Sequence, residues 1–162
     1  MVHVVLVGVF GPGFDLLDEF DRLVAEFRGS MLIEDGQIVV GTGRWLFRPD
    51  GRRQFLLDRL DRVGEMVATA SKASRWSNSW EVEAGSQRYE LVRAGRFTGA
   101  WELRGRGQTL GRVAPCFGFI PPPVAVADLP AELSPPVIAF VVAVVLASRR
   151  RARSGGGGGS AG

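Results

Sequence analysis

The chain has one cysteine, Cys116, and one histidine, His3, in 162 residues. With no second thiol, an intrachain disulfide is excluded. With a single imidazole near the start of the chain, His-based zinc sites, Ser-His-Asp triads and Cys-His nucleophile pairs lack their main ingredient. No cofactor or metal signature takes their place. Lysine is equally scarce: Lys72 is the only one, and the other 19 basic residues are arginines. The opening Met1-Val2-His3-Val4-Val5-Leu6-Val7 is apolar at once, with no basic residue before it and no small-residue cleavage pattern after it, so an export signal is not expected. One thiol and no export signal point to the cytoplasm.

What is present suffices for one domain. The composition is 46% hydrophobic and 23% charged, which allows residues 1–153 to bury a core without staples. Residues 154–162, glycine and serine apart from Ala161, read as a flexible tail. The net charge of +3 is uneven: residues 1–75 hold 10 basic and 11 acidic groups, residues 76–162 hold 10 and 6. The second half is therefore the expected face for anionic partners.

Residues Val2 to Phe10 read as a buried strand stopped by Gly11-Pro12-Gly13. In the next segment Phe14, Leu17, Phe20, Leu23, Val24 and Phe27 recur at three- and four-residue spacing, with Asp15, Asp18, Glu19, Asp21 and Arg22 between them. That pattern predicts an amphipathic N-terminal helix with acids in its first turns. Thereafter short apolar runs alternate with glycine turns. Asp35-Gly36 between Met31-Leu32-Ile33 and Gln37 to Val40 predicts a tight hairpin, and Pro49-Asp50-Gly51 predicts a second. Phe55 to Ala70 suits either one helical face or a hairpin turning at Asp61 to Gly64, and its surroundings favour the hairpin. Trp80-Glu81-Val82 and Trp101-Glu102-Leu103 recur after 21 residues, each followed by a glycine turn and another strand. Their alternation predicts a sheet with one dry face and one wet face.

Val137 to Ala147 contains no polar side chain. Ser134 suits an N-cap, Pro135 the first helical position, and Arg149 to Arg151 the negative end of the helix dipole. Apolar on every side, such a helix needs a sheath of protein or of lipid. Its eleven residues span about 17 Å, short of the ~30 Å of bilayer hydrocarbon, so a protein sheath is favoured over a membrane tail anchor. The expected fold class is thus mainly β (α+β): a closed antiparallel barrel of about nine to twelve strands around a buried C-terminal hydrophobic helix, plus the N-terminal amphipathic helix.

Ser74-Arg75-Trp76 leading into Trp80-Glu81-Val82, the hairpin ending Leu110-Gly111-Arg112-Val113, and the stretch from Ala127-Asp128-Leu129-Pro130 through Leu133, Pro135, Val137 and Phe140 to Arg149-Arg150-Arg151 together resemble the tubby-like superfamily. The resemblance is to its phospholipid scramblase and LURP-one-related branches, in small bacterial form, and covers about half the chain. It implies a barrel around a C-terminal helix but no settled activity, the superfamily being associated with phosphoinositide binding, lipid scrambling and defence roles. The expected function is a non-enzymatic domain that binds anionic phospholipid or acts as a scaffold; the alternative is a tail-anchored membrane protein with a cytosolic β-domain. Two features depart from the family: only Asp128 and Glu132 stand where scramblases are thought to hold calcium, and no lysine-rich pocket exists.

The expected phospholipid contact residues are Arg104, Arg106, Arg112, Arg149, Arg150 and Arg151, facing an anionic membrane surface. The competing reading of the last three is a solvated helix end. Nucleic acid is not an expected partner, because Trp80 and Trp101 fall on the dry face and Glu81, Glu83, Glu90 and Glu102 dilute the arginines between them. The Gly8 to Gly13 segment lacks the Gly-Lys-Ser/Thr ending of a phosphate loop and reads as a turn. Cys116 reads as a small buried hydrophobe, Trp76 as a core residue and Pro121-Pro122-Pro123 as a rigid connector. Asp15, Asp18 and Asp128 would be the acids of an enzyme, but no pair of them stands in a recognisable catalytic frame.

Overall fold

In the computed structural model, residues 2–6, 13–30, 34–62, 64–74, 77–95, 98–115, 125–130 and 132–154 are described. The readings placed on the 8–12 loop, Met31 to Ile33, Trp76, Cys116, the triple proline and the tail beyond residue 154 lie outside them. The strands are β1 (Val2–Leu6), β2 (Gly13–Leu17), β3 (Leu23–Ser30), β4 (Asp35–Val40), β5 (Gly43–Pro49) and β6 (Gln54–Arg59). They continue as β7 (Met66–Ser71), β8 (Ser79–Ala84), β9 (Gln87–Ala94), β10 (Ala100–Gly105), β11 (Gln108–Pro115) and β12 (Ala125–Asp128), and helix α1 (Pro135–Ser154) follows.

The expected fold class is corrected. The protein is mainly β: twelve strands, β1 to β12, form one antiparallel sheet, with β2 to β12 paired in chain order, and residues 14–27 form strands rather than the expected helix. Strand β1 stands between the two edges, pairing antiparallel with β12 on one side and β2 on the other.

The segment 14–27 supplies β2 and β3 because a period of two also runs through it. Phe14, Leu16, Ala25 and Phe27 are buried, whereas Phe20 and Leu23, which the helical spacing counted as apolar face, are 69% and 53% exposed. The acids expected in a helix's first turn instead build the hairpin turn. Asp18 Oδ1 accepts from the backbone N–H of Phe20 and Arg22 at 2.8 and 2.9 Å, and Asp21 takes a left-handed φ of 58°, which aspartate tolerates. The Asp35-Gly36 pair is likewise not a turn: it lies in β4, with Gly36 opposite Gly29. A Cβ on Gly36 would come within 2.6 Å of the Phe27 ring, so the strand itself needs glycine there.

Other turns follow the sequence reading. Pro49-Asp50-Gly51 turns β5 into β6 with Gly51 at φ 69°, Gly64 lies between β6 and β7, and Gly85 and Gly107 close the β8–β9 and β10–β11 hairpins. Trp80, Val82, Leu91, Trp101 and Leu103 all face the dry side.

That dry side encloses α1. From Val137 to Val145 no residue is more than 8% exposed, and Phe140 and Ala139 are fully buried. Around the helix runs an aromatic belt: Phe14 stacks on Phe27, Phe27 meets Phe47 edge-on, Phe47 stacks on Phe55, and Phe55 lies 5.2 Å from Trp80. Phe140 joins the belt edge-on to Phe47 at 5.9 Å. Protein therefore supplies the sheath that the apolar run requires. No described helix is long and apolar enough to cross a membrane.

Antiparallel order sends successive turns to alternate ends of the structure, and α1 gives those ends different chemistry. At the proximal end, where α1 begins, lie residues 18–22, 41–42, 60–62, 64–65, 85–86, 106–107, 129–130 and 132–134 of the connections. At the distal end, where α1 finishes about 30 Å away, lie residues 34, 50–53, 72–74, 77–78, 95 and 98–99 of the connections.

Candidate functional site

Arg151 is firmly anchored at the distal end. It stands in the last turn of α1, where aligned peptide dipoles favour positive charge. Its Nε donates to the two Glu34 carboxylate oxygens at 2.9 and 2.7 Å, its Nη2 also pairs with Glu34, and its Nη1 donates to the Arg52 carbonyl at 2.7 Å. The guanidinium carbon lies 4.4 Å from the centre of the Phe55 ring. The Arg151 and Glu34 side chains are only 28% and 13% exposed, so this forked pair is shielded far better than an ordinary surface ion pair.

Lys72 follows β7 directly and converges on the same spot. Its Nζ donates to the Ser77 carbonyl at 3.0 Å and lies 4.9 Å from the centre of the Trp80 ring. Two cations thus cover two neighbouring rings. Burial, and after it the charge of Arg151, hold the Lys72 amine below the usual lysine range. Glu34 is bound by Arg151, and every one of the chain's 17 acidic residues lies among the described residues.

Arg52 and Arg53 in the β5–β6 turn, with Arg149 and Arg150 on α1, complete a basic end. The described connections of the distal end and the helix terminus through Arg151 hold six cations (Arg52, Arg53, Lys72, Arg149, Arg150, Arg151) against Glu34 and Asp50, a balance of +4. The proximal connections hold Asp18, Glu19, Asp21, Asp61, Glu65 and Glu132 against Arg22, Arg62 and Arg106, a balance of −3. The molecule is electrically two-ended.

The six arginines expected to act together are divided between those ends. Arg149, Arg150 and Arg151 are distal, and all three are half-buried rather than splayed into solvent. Arg106 occupies the proximal β10–β11 turn with φ 51°, and Arg104 beside it is held by Glu102 at 2.7 Å. Arg112 lies on β11, in register with Glu102 on one side and Asp128 on the other. A neighbour on its own strand thus holds Arg104, and cross-strand acids flank Arg112. Lys72, Arg52 and Arg53 were not singled out by sequence reasoning. Strand parity could have found them, because the Pro49-Asp50-Gly51 turn and the end of β7 must share an end with the finish of α1.

The acids weighed as catalytic are occupied elsewhere. Asp15 pairs with Arg28 at 3.1 Å, Asp18 holds its turn and Arg22, and Asp128 lies exposed on β12 opposite Arg112. Among the described residues no three His, Cys, Asp or Glu side chains cluster in a way that could hold a metal ion. No family model, curated protein or solved structure matches the chain.

Proposed function

We propose that the protein is a non-enzymatic domain of the tubby-like, scramblase-like kind that docks from the cytoplasmic side on anionic phospholipid surfaces, with its distal end facing the bilayer. The observation that carries this reading is the distal excess of positive charge, in which Arg151 takes the Glu34 carboxylate while Lys72 donates to the Ser77 carbonyl and lies over the Trp80 ring. A surface of anionic headgroups supplies the missing negative charge. Arg52 and Arg53 extend the contact laterally, each basic residue near such a surface contributing about 1 kcal/mol at moderate salt. The enclosed C-terminal helix supports the kinship with the tubby-like group.

Flotation with phosphatidylcholine vesicles, with and without phosphatidylserine, tests the proposal. Flotation is expected only with phosphatidylserine, weakening as salt rises. Absence of flotation at low salt, or equal flotation on neutral vesicles, overturns it.

A further inference from the structure

The proximal end carries a second, chemically opposite feature. Between the start of α1 and the wall made by β7, β8 and β9 lies a groove of about 390 Å³ that the helix leaves unfilled. Its apolar lining comes from Met66, Val67, Tyr89, Leu133 and Val137, and its ionisable residues are Glu65 and Glu132. No basic residue lines it. Its size falls within the range of small-molecule sites, and the open end of a strand-wrapped core is a common place for one.

A helix N-terminus ordinarily offers backbone N–H groups to an anion, but this one does not. Pro135 and Pro136 have no N–H, and the N–H groups of Val137 and Ile138 both donate to the Ser134 carbonyl. What remains for a ligand is a trough with apolar walls, the uncharged polar side chains of Gln87, Tyr89 and Ser134, and carboxylates at its edge. Glu132 makes no ion pair among the described residues. Glu65 meets Arg62 at 3.6 Å, a long contact between two exposed side chains that competes weakly with a ligand.

We infer that this groove binds a small organic amine, an ammonium head on an aliphatic stem, with the stem against Met66, Tyr89, Leu133 and Val137 and the head between Glu65 and Glu132. Charge complementarity decides the class. An aliphatic carboxylate of the same length would bring its charge against two carboxylates with no cation in the lining to offset them, and a neutral alcohol would gain no ion pair. The inference is independent of the distal basic end.

The test is titration of the full chain with hexylammonium, hexanoate and hexanol, followed by heteronuclear NMR shifts of residues 65–67, 84–89 and 132–137. Saturable hexylammonium binding in the millimolar range is expected, about fivefold or more tighter than hexanol, with hexanoate weakest. Glu65→Gln with Glu132→Gln, both exposed positions, should weaken hexylammonium about fivefold and leave hexanol unchanged. Met66→Lys, also at an exposed position, should weaken hexylammonium while the dispersion of the spectrum stays intact. No saturable shift with hexylammonium, hexanoate binding as tightly as hexylammonium, or an unaltered affinity in both variants overturns the inference. Tighter binding of a lysine-containing peptide than of hexylammonium also overturns it, in favour of a basic protein partner.

Discussion

The two ends of this molecule close the same enclosed helix with opposite chemistry. At the distal end, cations lie over an aromatic belt and are tied down by a shielded carboxylate, a carbonyl and ring faces. At the proximal end, acids lie in the turns, five large apolar side chains (Phe20, Leu23, Leu60, Met66 and Leu110) stand exposed, and a groove is left beside the helix start. A buried apolar helix thus settles the interior without settling what its ends do. The ends take their character from which turns strand parity brings together.

The largest change breaks both ends at once. Phe140→Ala removes the fully buried ring that joins α1 to the aromatic belt. It should cost about 3–5 kcal/mol in chemical denaturation, with loss of near-ultraviolet tryptophan signal. An effect below about 1 kcal/mol would mean that the helix is not the core of the fold.

Glu34→Gln separates the distal end from the proximal one. It strips Arg151 of its shielded partner and should lower stability by about 1–3 kcal/mol, while flotation on phosphatidylserine vesicles strengthens because the distal excess of positive charge grows by one. Reduced flotation in a folded variant would place the contact elsewhere. Arg52→Gln with Arg53→Gln should weaken vesicle binding by roughly thirtyfold at low salt, at about 1 kcal/mol per residue. Arg104→Gln, Arg106→Gln and Arg112→Gln together should leave binding nearly unchanged. Equal losses in the two sets would erase the distinction between the ends.

A finer distinction comes from pH. Burial and Arg151 hold Lys72 below the ordinary lysine value of 10.5, so the unfolded chain binds the proton more readily than the folded one. The penalty for a charged Lys72 is complete below its folded value and is relieved as pH rises through that value toward 10.5. Stability relative to Lys72→Met should therefore climb with pH in that alkaline window, as read by denaturant midpoints. A flat difference would mean that the amine is fully solvated. At the other end, Asp18 is held below its usual carboxylate range by Arg22 and by backbone N–H groups, so the order it gives the β2–β3 turn is present at neutral pH and lost on acidification. Asp18→Ala should raise amide exchange at Phe20 and Arg22 with little effect on the rest of the sheet.

Much of the sheet was legible because its turns carry strong local chemistry. Pro49-Asp50-Gly51, Gly85 and Gly107 demand the conformations they adopt, and Trp80, Val82, Leu91 and Leu103 alternate with charged neighbours without competition from another period. Residues 14–27 were illegible for the opposite reason. Phe14 and Phe27 satisfy both a helical stripe and a pair of alternating strands, and local spacing does not choose between them. Pairing with β1 and β4 did, because β1 and β4 would otherwise face open edges. The distal site was half legible: Arg149 to Arg151 stand out as a run, whereas Lys72 and Arg52 gain meaning only from neighbours 79 and 99 residues away along the chain, both meeting at Arg151.

The sequence by itself determined that one apolar helix would need a complete sheath, that its arginines would gather at its negative end, and that most of the wall would be short hairpins. These follow from hydrophobicity and backbone chemistry that each segment carries alone. The tertiary structure decided that residues 14–27 join the wall, that Glu34 rather than solvent receives Arg151, and that six expected arginines divide between two ends. Those outcomes depend on pairing and parity across the whole sheet, which no single segment contains.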